Sequence, residues 1–256
     1  MKKVTAFLGT PRKQATYKAV REFERYLKKD AEIEFEYVFL KDYRLEYCLG
    51  CKLCFEKGEE HCPLKDDRDL LLEKMTASDG VIFATPVYAF QVTAPMKNLL
   101  DRLAFIFHRP QFFGKSFTAI VSQGILGGEK IEKYLRSMGE YYGFQVVKGC
   151  VLKALEPTAA AVEARNSLKL EKAADRFHND LMRTSIPAPS LFRLLSFRMA
   201  RSSIKEMLNP DYRDYRHYEE KGWLESGYYY PVSLGLIKNI FGRLFDLLGT
   251  RMIKRP

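Results

Sequence analysis

Short apolar runs alternate with amphipathic stretches through the first 150 residues of the chain. Five of these runs have the length and the aliphatic or aromatic composition of buried β-strands. They cover Lys3–Leu8, Ile33–Phe39, Gly80–Thr85, Ser116–Ser122 and Phe144–Val151. The third run is apolar at every position from Val81 to Ala84, which is typical of a central strand that is buried on both faces.

Helical patterns fill the segments between these strands, near residues 14–29, 67–77, 94–107 and 128–142. Repeated strand–helix–strand units with short connections predict an α/β fold, in which a parallel sheet carries helices on both faces. Five such strands fit the doubly wound order 2-1-3-4-5. In that order a ligand binds at the switch point between the first and third strands.

The C-terminal third of the chain has a different character. Residues 156–185 predict a last helix against the sheet, and Pro187 and Pro189 then interrupt the chain. We therefore predict an α/β domain over residues 1–186 and a basic helical extension over residues 187–256, with helices near 191–208 and 233–253.

The last predicted helix is amphipathic. Its apolar face comprises Leu236, Ile237, Ile240, Phe241, Leu244, Leu247 and Leu248, and its basic residues are Lys238, Arg243, Arg251, Lys254 and Arg255. Such a face more often packs on the protein's own core or on a partner subunit, which is the interpretation we favour. Contact with an anionic membrane surface is the alternative.

The formal net charge of +10 indicates attraction to an anionic partner. Residues 193–256 contribute half of the surplus, with twelve basic against seven acidic residues. No nucleic-acid recognition motif accompanies this charge, so we expect no nucleic-acid partner. No apolar run is long enough to span a bilayer, and the short N-terminal run predicts a strand rather than a signal peptide; we expect a cytoplasmic protein.

Three loops follow the first, third and fourth strands, and they converge on one sheet edge if the sheet is parallel. The first holds Gly9, Thr10, Pro11, Arg12 and Thr16 at the start of a helix, where hydroxyl groups, free N–H groups and a positive charge suit a phosphate. The second holds Pro86, Val87, Tyr88, Ala89, Phe90 and Gln91, and the third holds Ser122, Gln123 and Gly124. Taken singly, each is also an ordinary turn, with Thr16 as a helix cap and with Tyr88 and Phe90 covering the core.

Four of the five cysteines, Cys48, Cys51, Cys54 and Cys62, have the spacing C-x2-C-x2-C-x7-C. Clustered thiols in a cytosolic protein indicate metal or redox chemistry, and four thiolates suit either a [4Fe–4S] cluster or zinc. Cys150 lies in a strand-like run and is predicted to be a small buried apolar residue.

The chain resembles the NAD(P)H-dependent FMN reductases and iron–sulfur flavoproteins of the flavodoxin-like superfamily. The resemblance covers roughly residues 1–150 and rests on Gly9-Thr10-Pro11-Arg12 with Thr16, the cysteine motif with Cys62-Pro63-Leu64-Lys65-Asp66-Asp67, Pro86-Val87-Tyr88, and Lys97-Asn98-Leu99-Leu100-Asp101-Arg102. Arg109-Pro110 and Gly114-Lys115 extend it. The chain departs from the family pattern at Ala15, where a hydroxyl or amide side chain is usual, and at Ala89-Phe90-Gln91, where smaller residues are usual.

The resemblance implies an oxidoreductase that binds FMN with all three loops, takes electrons from NAD(P)H as co-substrate and passes them to a quinone, a flavin or another acceptor. His108 and Arg109 are weaker candidates for the nicotinamide or acceptor side. The rival interpretation is a non-enzymatic electron carrier with a flavin, a [4Fe–4S] cluster on the four cysteines and a ferredoxin-like partner. Family members that keep the cysteine core without a cluster use the loop as a lid or a dimer contact, and the resemblance implies a homo-oligomer.

Overall fold

The computed structural model describes residues 1–29 and 31–253, with side chains up to residue 247. Its strands are β1 (Lys2–Leu8), β2 (Ile33–Phe39), β3 (Gly80–Pro86), β4 (Ser116–Gln123), β5 (Gln145–Val146) and β6 (Cys150–Lys153). Its α-helices are α1 (Ala15–Leu27), α2 (Leu53–Glu56), α3 (Arg68–Ala77), α4 (Ala94–Arg102), α5 (Gly128–Tyr141), α6 (Ala160–Leu181), α7 (Leu191–Met207), α8 (Arg213–Glu220) and α9 (Gly235–Ile253).

The strands form one parallel sheet in the order β2-β1-β3-β4-β5, and β6 pairs with β4 beyond β5. The predicted α/β fold with the flavodoxin-like order 2-1-3-4-5 and a helical C-terminal part is therefore confirmed. Most predicted elements agree with the observed ones to within a few residues. The sequence pattern missed the short helix α2 and also α8, which is polar.

The single strand predicted over Phe144–Val151 is wrong in one respect, because the structure divides it into β5 and β6. Between them, the N–H of Gly149 donates to the Glu132 carboxylate at 2.9 Å instead of to the sheet. A Cβ atom on Gly149 would lie 1.8 Å from the carbonyl oxygen of Ala119, so the backbone approaches β4 more closely there than any side chain allows. This close approach interrupts the ladder.

Both faces of the sheet are buried, as the apolar pattern predicts. Along β1, Val4, Ala6 and Leu8 join the core beneath α1 and α6, while Phe7 points to the opposite face. There the rings of Phe7, Phe83 and Phe117 form edge contacts, with centroid distances of 5.8 and 5.0 Å. The carboxyl edge of the sheet is thus carried by rigid central strands.

The chain divides into two compact units. Unit 1 comprises residues 1–48, 65–106 and 110–185 and holds the whole sheet. Unit 2 comprises residues 49–64, 107–109 and 186–256. The predicted division into two domains, 1–186 and 187–256, stays a prediction.

Unit 2 has its own small core, formed by helices α7 to α9 and an aromatic cluster. Phe197, Tyr218 and Trp223 are buried in it, and the indole N–H of Trp223 donates to the Tyr229 carbonyl at 2.9 Å. In the part of the chain that is described, no helix is long and apolar enough to cross a membrane.

Candidate functional site

A cleft of about 260 Å³ opens in unit 1 where β1, β3 and β4 end. It brings together residues of all three predicted loops and of the segment that follows β6. Its lining consists of Thr10, Arg12, Gln14, Ala15, Thr16, Pro86, Val87, Tyr88, Ser122, Gln123, Gly124, Ala154 and Glu156. Gly9, Pro11, Ala89, Phe90 and Gln91, which were also predicted, adjoin these residues in the chain without lining the cleft.

The first loop leads into α1, whose N-terminus faces this edge. No side chain in the described residues caps the helix, and its first turn contains no acidic residue. The first N–H groups of α1 therefore lack intrahelical and side-chain partners, and the positive end of the helix dipole is not neutralised locally. Thr16 is not the cap; its buried hydroxyl shares a short hydrogen bond with the hydroxyl of Ser122 at the end of β4.

Buried hydroxyl groups hold the loops against each other. The Thr93 hydroxyl donates to the carbonyl of Gly9 at 2.5 Å, and the Thr93 N–H donates to the Thr85 hydroxyl at 3.3 Å. A Cβ atom on Gly9 would lie 2.6 Å from the same Thr93 oxygen, so a glycine is required where the first and second loops meet. The N–H of Val87 donates to the Ser122 carbonyl at 2.8 Å, which joins the second loop to β4.

The second loop ends in a tight hairpin. Tyr88 and Gln91 exchange backbone hydrogen bonds of 3.0 and 2.9 Å, and the two central residues, Ala89 and Phe90, have φ values of 48° and 58°. This left-handed conformation is unusual for residues other than glycine, and for a bulky residue it indicates strain. The Phe90 ring is exposed and lies beside Gly127. The Tyr88 hydroxyl lies 3.5 Å from the Arg12 guanidinium.

A second, larger cleft of about 640 Å³ in unit 1 shares Ala15, Ser122, Ala154 and Glu156 with the first. It extends between α1 and the start of α6. We take the smaller cleft as the candidate site because it is the one that the predicted loops line. The two clefts adjoin each other at these shared residues.

The motif on α4 has a structural role that the sequence analysis did not assign. Arg102 and Asp66 form a buried ion pair, with one N–O distance of 3.0 Å. Burial alone would raise the pKa of Asp66, but hydrogen bonds from Arg102 and from the N–H groups of Glu46 and Arg68 lower it below its ordinary value. Asn98 donates to the Leu45 carbonyl at 2.7 Å.

These contacts form a neck, which we define as residues 44–46 and 65–67. The neck closes a loop of the chain that carries all four clustered cysteines. Asp67 strengthens it, because its carboxylate accepts from the Arg44 N–H at 2.6 Å and its own N–H donates to the Arg44 carbonyl at 2.9 Å. The neck belongs wholly to unit 1.

Within unit 2, Arg109 is buried and fully engaged. It donates to the Cys54 carbonyl at 2.9 Å, pairs with Glu59 at 2.6 Å and forms a short ion pair with Asp214. The ring of His108 also lies 2.5 Å from the Asp214 carboxylate. Arg109 therefore joins the cysteine loop to α8, and its guanidinium is occupied by protein groups rather than turned to a ligand.

Cys48 and Cys51 are exposed, and Cys54 and Cys62 are partly buried. Four thiols at this spacing suit a cluster in their chemistry. Their placement does not, because no three His, Cys, Asp or Glu side chains of the described residues lie together so that they would hold a metal ion. Cys150 is buried, and burial raises the pKa of its thiol to about 12, as befits an unreactive core residue.

Comparisons with known proteins agree with the fold. The profile of a family described as NADPH-dependent FMN reductase matches residues 2–155. An iron-sulfur flavoprotein of Archaeoglobus fulgidus is 33% identical over 142 residues, which cover 55% of this chain and 64% of that protein. An iron-sulfur flavoprotein of Clostridioides difficile is 27% identical over 234 residues, which cover 88% of this chain and 98% of that protein.

The match to the first relatives is partial, since the chain spans between about half and two thirds of their own length. Among solved structures, an azoreductase from Bacillus anthracis has a TM-score of 0.55 at 18% identity, covering 70% of this chain and 100% of that one. A putative quinone reductase from Klebsiella pneumoniae has a TM-score of 0.54 at 21% identity, covering 74% and 88%. At these identities the structures support the fold alone.

Proposed function

The chain belongs to the NADPH-dependent FMN reductase family, and from this premise we propose that it takes electrons from NAD(P)H and passes them to a quinone, a flavin or another acceptor. The observation that carries the proposal is the convergence of three strand-end loops on one cleft. FMN is the cofactor that the family implies.

The phosphate of FMN would lie at the N-terminus of α1. The uncapped N–H groups of this helix, the Thr10 hydroxyl and the exposed Arg12 guanidinium supply donors and positive charge. Thr16 and Ser122 already share a hydrogen bond, so they would bind the cofactor as a pair. Ala15 supplies no side-chain donor, and the helix N-terminus has to compensate for it.

The ring system would lie along the second and third loops. The N–H groups of Ala89 and Phe90 donate no hydrogen bond within the described residues, and they are available to the polar edge of a flavin. Tyr88 is half exposed and offers a flat face. A Cβ atom on Gly124 would meet open space, which leaves the third loop accessible.

When bound, FMN accepts hydride and passes on electrons, and the protein binds, orients and shields it. The chain needs no general acid or base of its own for hydride transfer. At the cleft, Thr10, Arg12, Thr16 and Ser122 would accordingly act as donors, and Pro86 and Val87 as apolar walls.

Anaerobic addition of NADPH or NADH to the FMN-loaded protein tests the proposal. We expect the flavin absorbance to bleach and then to return when a quinone is added. A protein that binds FMN but is bleached by neither nicotinamide would contradict the reductase assignment while leaving the FMN site intact.

Replacing Arg12 by Ala tests the phosphate assignment. Loss of a charged donor is expected to weaken FMN binding about tenfold, or ~1.4 kcal/mol. Arg25→Ala is the matched control, because Arg25 is an exposed arginine at the other end of α1. Fluorescence titration with FMN gives both dissociation constants, and equal values for the two variants would refute the role of Arg12.

A second candidate is an electron carrier with an iron–sulfur cluster, favoured by the four cysteines on one closed loop and by the iron-sulfur flavoproteins among the relatives. The placement of the thiols described above counts against it. Iron and acid-labile sulfide in the anaerobically purified protein, together with broad absorption near 400 nm, decide the question. Four equivalents of each per chain would support this candidate, and a metal-free protein would exclude it.

A further inference from the structure

Helix α9 turns an apolar face to solvent. Six side chains on this face, which we call the α9 stripe, are between 39% and 78% exposed. They are Leu236, Ile237, Ile240, Phe241, Leu244 and Leu247. Leu248, which the sequence pattern adds to this face, has its side chain outside the described part of the chain. Contiguous exposure of this kind marks an interaction surface.

The stripe is exposed because α9 packs on α7 through its other face. Gly242 is buried, and a Cβ atom there would lie 3.3 Å from the Arg198 guanidinium. Asp246 accepts from Arg198 at 2.8 Å and forms a short ion pair with Arg201. The expected packing of the stripe on the chain's own core is therefore not seen, and polar contacts hold the opposite face instead.

Helix α9 and the residues that follow it in the sequence carry a net positive charge. Residues 235–256 contain five basic residues and one acidic residue, Asp246. The two arginines of α7 neutralise Asp246 on the packed face, so it does not oppose an anionic partner. Arg243 is exposed at the edge of the stripe, and Arg251, Lys254 and Arg255 follow in the sequence, the last two beyond the described residues.

The apolar surface continues at the start of α7. Leu191 and Phe192 are 42% and 56% exposed. Lys238, in the first turns of α9, donates to the Pro189 carbonyl at 2.7 Å, so the beginnings of the two helices meet there. The exposed patch therefore combines aliphatic side chains, aromatic side chains and basic edges, which is the composition of helices that lie in a membrane interface.

We propose that the α9 stripe docks the protein on an anionic phospholipid surface, with its apolar side chains inserted among the lipids and its basic residues at the headgroups. Charge complementarity selects this occupant over a second copy of the chain, because two α9 helices would bring like charges together. A reductase held in this way would meet acceptors that are themselves dissolved in the membrane. The docking itself does not depend on the proposed reductase activity.

The test measures co-sedimentation of the full-length, FMN-loaded protein with vesicles. One set of vesicles is pure phosphatidylcholine, and the other contains about a third phosphatidylglycerol. We expect binding to the anionic set that weakens as salt is raised from about 0.1 to about 0.5 M. Ile240→Asp should weaken it at least about tenfold, and Arg243→Gln about fivefold.

Leu168→Asp on α6 is the matched control, since Leu168 is 56% exposed against 60% for Ile240 and the change in charge is the same. It should alter vesicle binding less than twofold, roughly the effect of one distant charge at this salt concentration. The fluorescence of Trp223, the only tryptophan, reports whether unit 2 remains folded in the α9 variants.

Two outcomes overturn the proposal. One is binding to anionic vesicles that Ile240→Asp leaves unchanged. The other is no vesicle binding together with a dimer in light scattering that Ile240→Asp converts to a monomer, which would assign the stripe to a second copy of the chain. Neither outcome affects the reduction of FMN by NADPH, so failure here is separable from failure of the proposed function.

Discussion

The strand-end cleft and the cysteine loop are both made of loops, but different forces hold them in place. The cleft is held from within, because its loops are bonded directly to one another through Thr93, Gly9, Val87 and Ser122. The cysteine loop is closed at its ends by the neck, and Arg109 bonds to the Cys54 carbonyl and to Glu59 within it, while Cys48 and Cys51 remain exposed. The difference indicates that the cleft is formed in advance of its ligand, whereas the cysteine loop depends on the ion pairs of two arginines, Arg102 and Arg109.

The largest effect is expected from breaking the neck. Arg102→Ala leaves the carboxylate of Asp66 buried without its partner, and removing one member of a buried pair typically costs about 3–5 kcal/mol. Urea unfolding measures the loss. Lys97→Ala is the control, since Lys97 forms an exposed pair with Asp101 on the same helix and should cost less than about 1 kcal/mol. Equal losses for the two variants would show that the neck does not anchor the loop.

A drop in pH should destabilise unit 2 before it destabilises unit 1. Burial, and then the positive charges of Arg213 and Arg109, lower the pKa of His217 from 6.5 to about 4. The unfolded chain therefore takes up the proton first, and stability is lost as the pH falls from about 6.5 towards 4. In unit 1, the lowered pKa of Asp66 preserves stability until the pH falls below its ordinary value of 3.8.

Trp223 fluorescence during denaturation, at pH 7.5 and at pH 5, reads unit 2 alone. We expect a loss of about 1–2 kcal/mol at the lower pH once solvent screening of this partly exposed group is allowed for. The variant His217→Gln should remove most of the pH dependence. A wild-type protein equally stable at both pH values would mean that His217 is not held neutral.

The smallest effect concerns the hairpin of the cleft. Phe90→Gly removes the strain of a left-handed conformation, which costs the folded protein about 1–2 kcal/mol. The glycine also gives the unfolded chain more conformational freedom, which offsets about 0.5–1 kcal/mol of this gain. The variant should be more stable than the wild type by up to about 1 kcal/mol in thermal unfolding. Gln91→Gly is the control, because Gln91 is not one of the left-handed residues and should gain nothing. A destabilised Phe90→Gly would indicate that the ring packs more than its exposure implies.

The sequence predicted the cleft well because its geometry follows from topology. Parallel strands bring their carboxyl ends to one edge, so residues as far apart as Thr10 and Gln123 are neighbours once the strands are identified. The neck was not predictable in this way. Arg102 and Asp66 were recognised only as members of a motif, and nothing local indicates that they pair across 36 residues.

Other misses have the same origin. The break between β5 and β6 depends on how closely Gly149 approaches Ala119, which no periodicity reveals. Arg109 is a weaker candidate for the nicotinamide or acceptor side by sequence, yet its guanidinium is bonded to Glu59 and Asp214, which come from distant segments of unit 2. Local sequence patterns predict the helices, the strands and the sheet edge where the loops meet. The pairing of polar residues that are distant in the sequence is not predictable from such patterns.

The most direct test of the central claim compares the binding of FMN with that of riboflavin by the apoprotein. If the strand-end loops grip a phosphorylated flavin, FMN should bind with one equivalent per chain and at least about a hundredfold more tightly than riboflavin, or ~2.8 kcal/mol. Equal affinities for the two flavins, or no binding of either, would contradict the account.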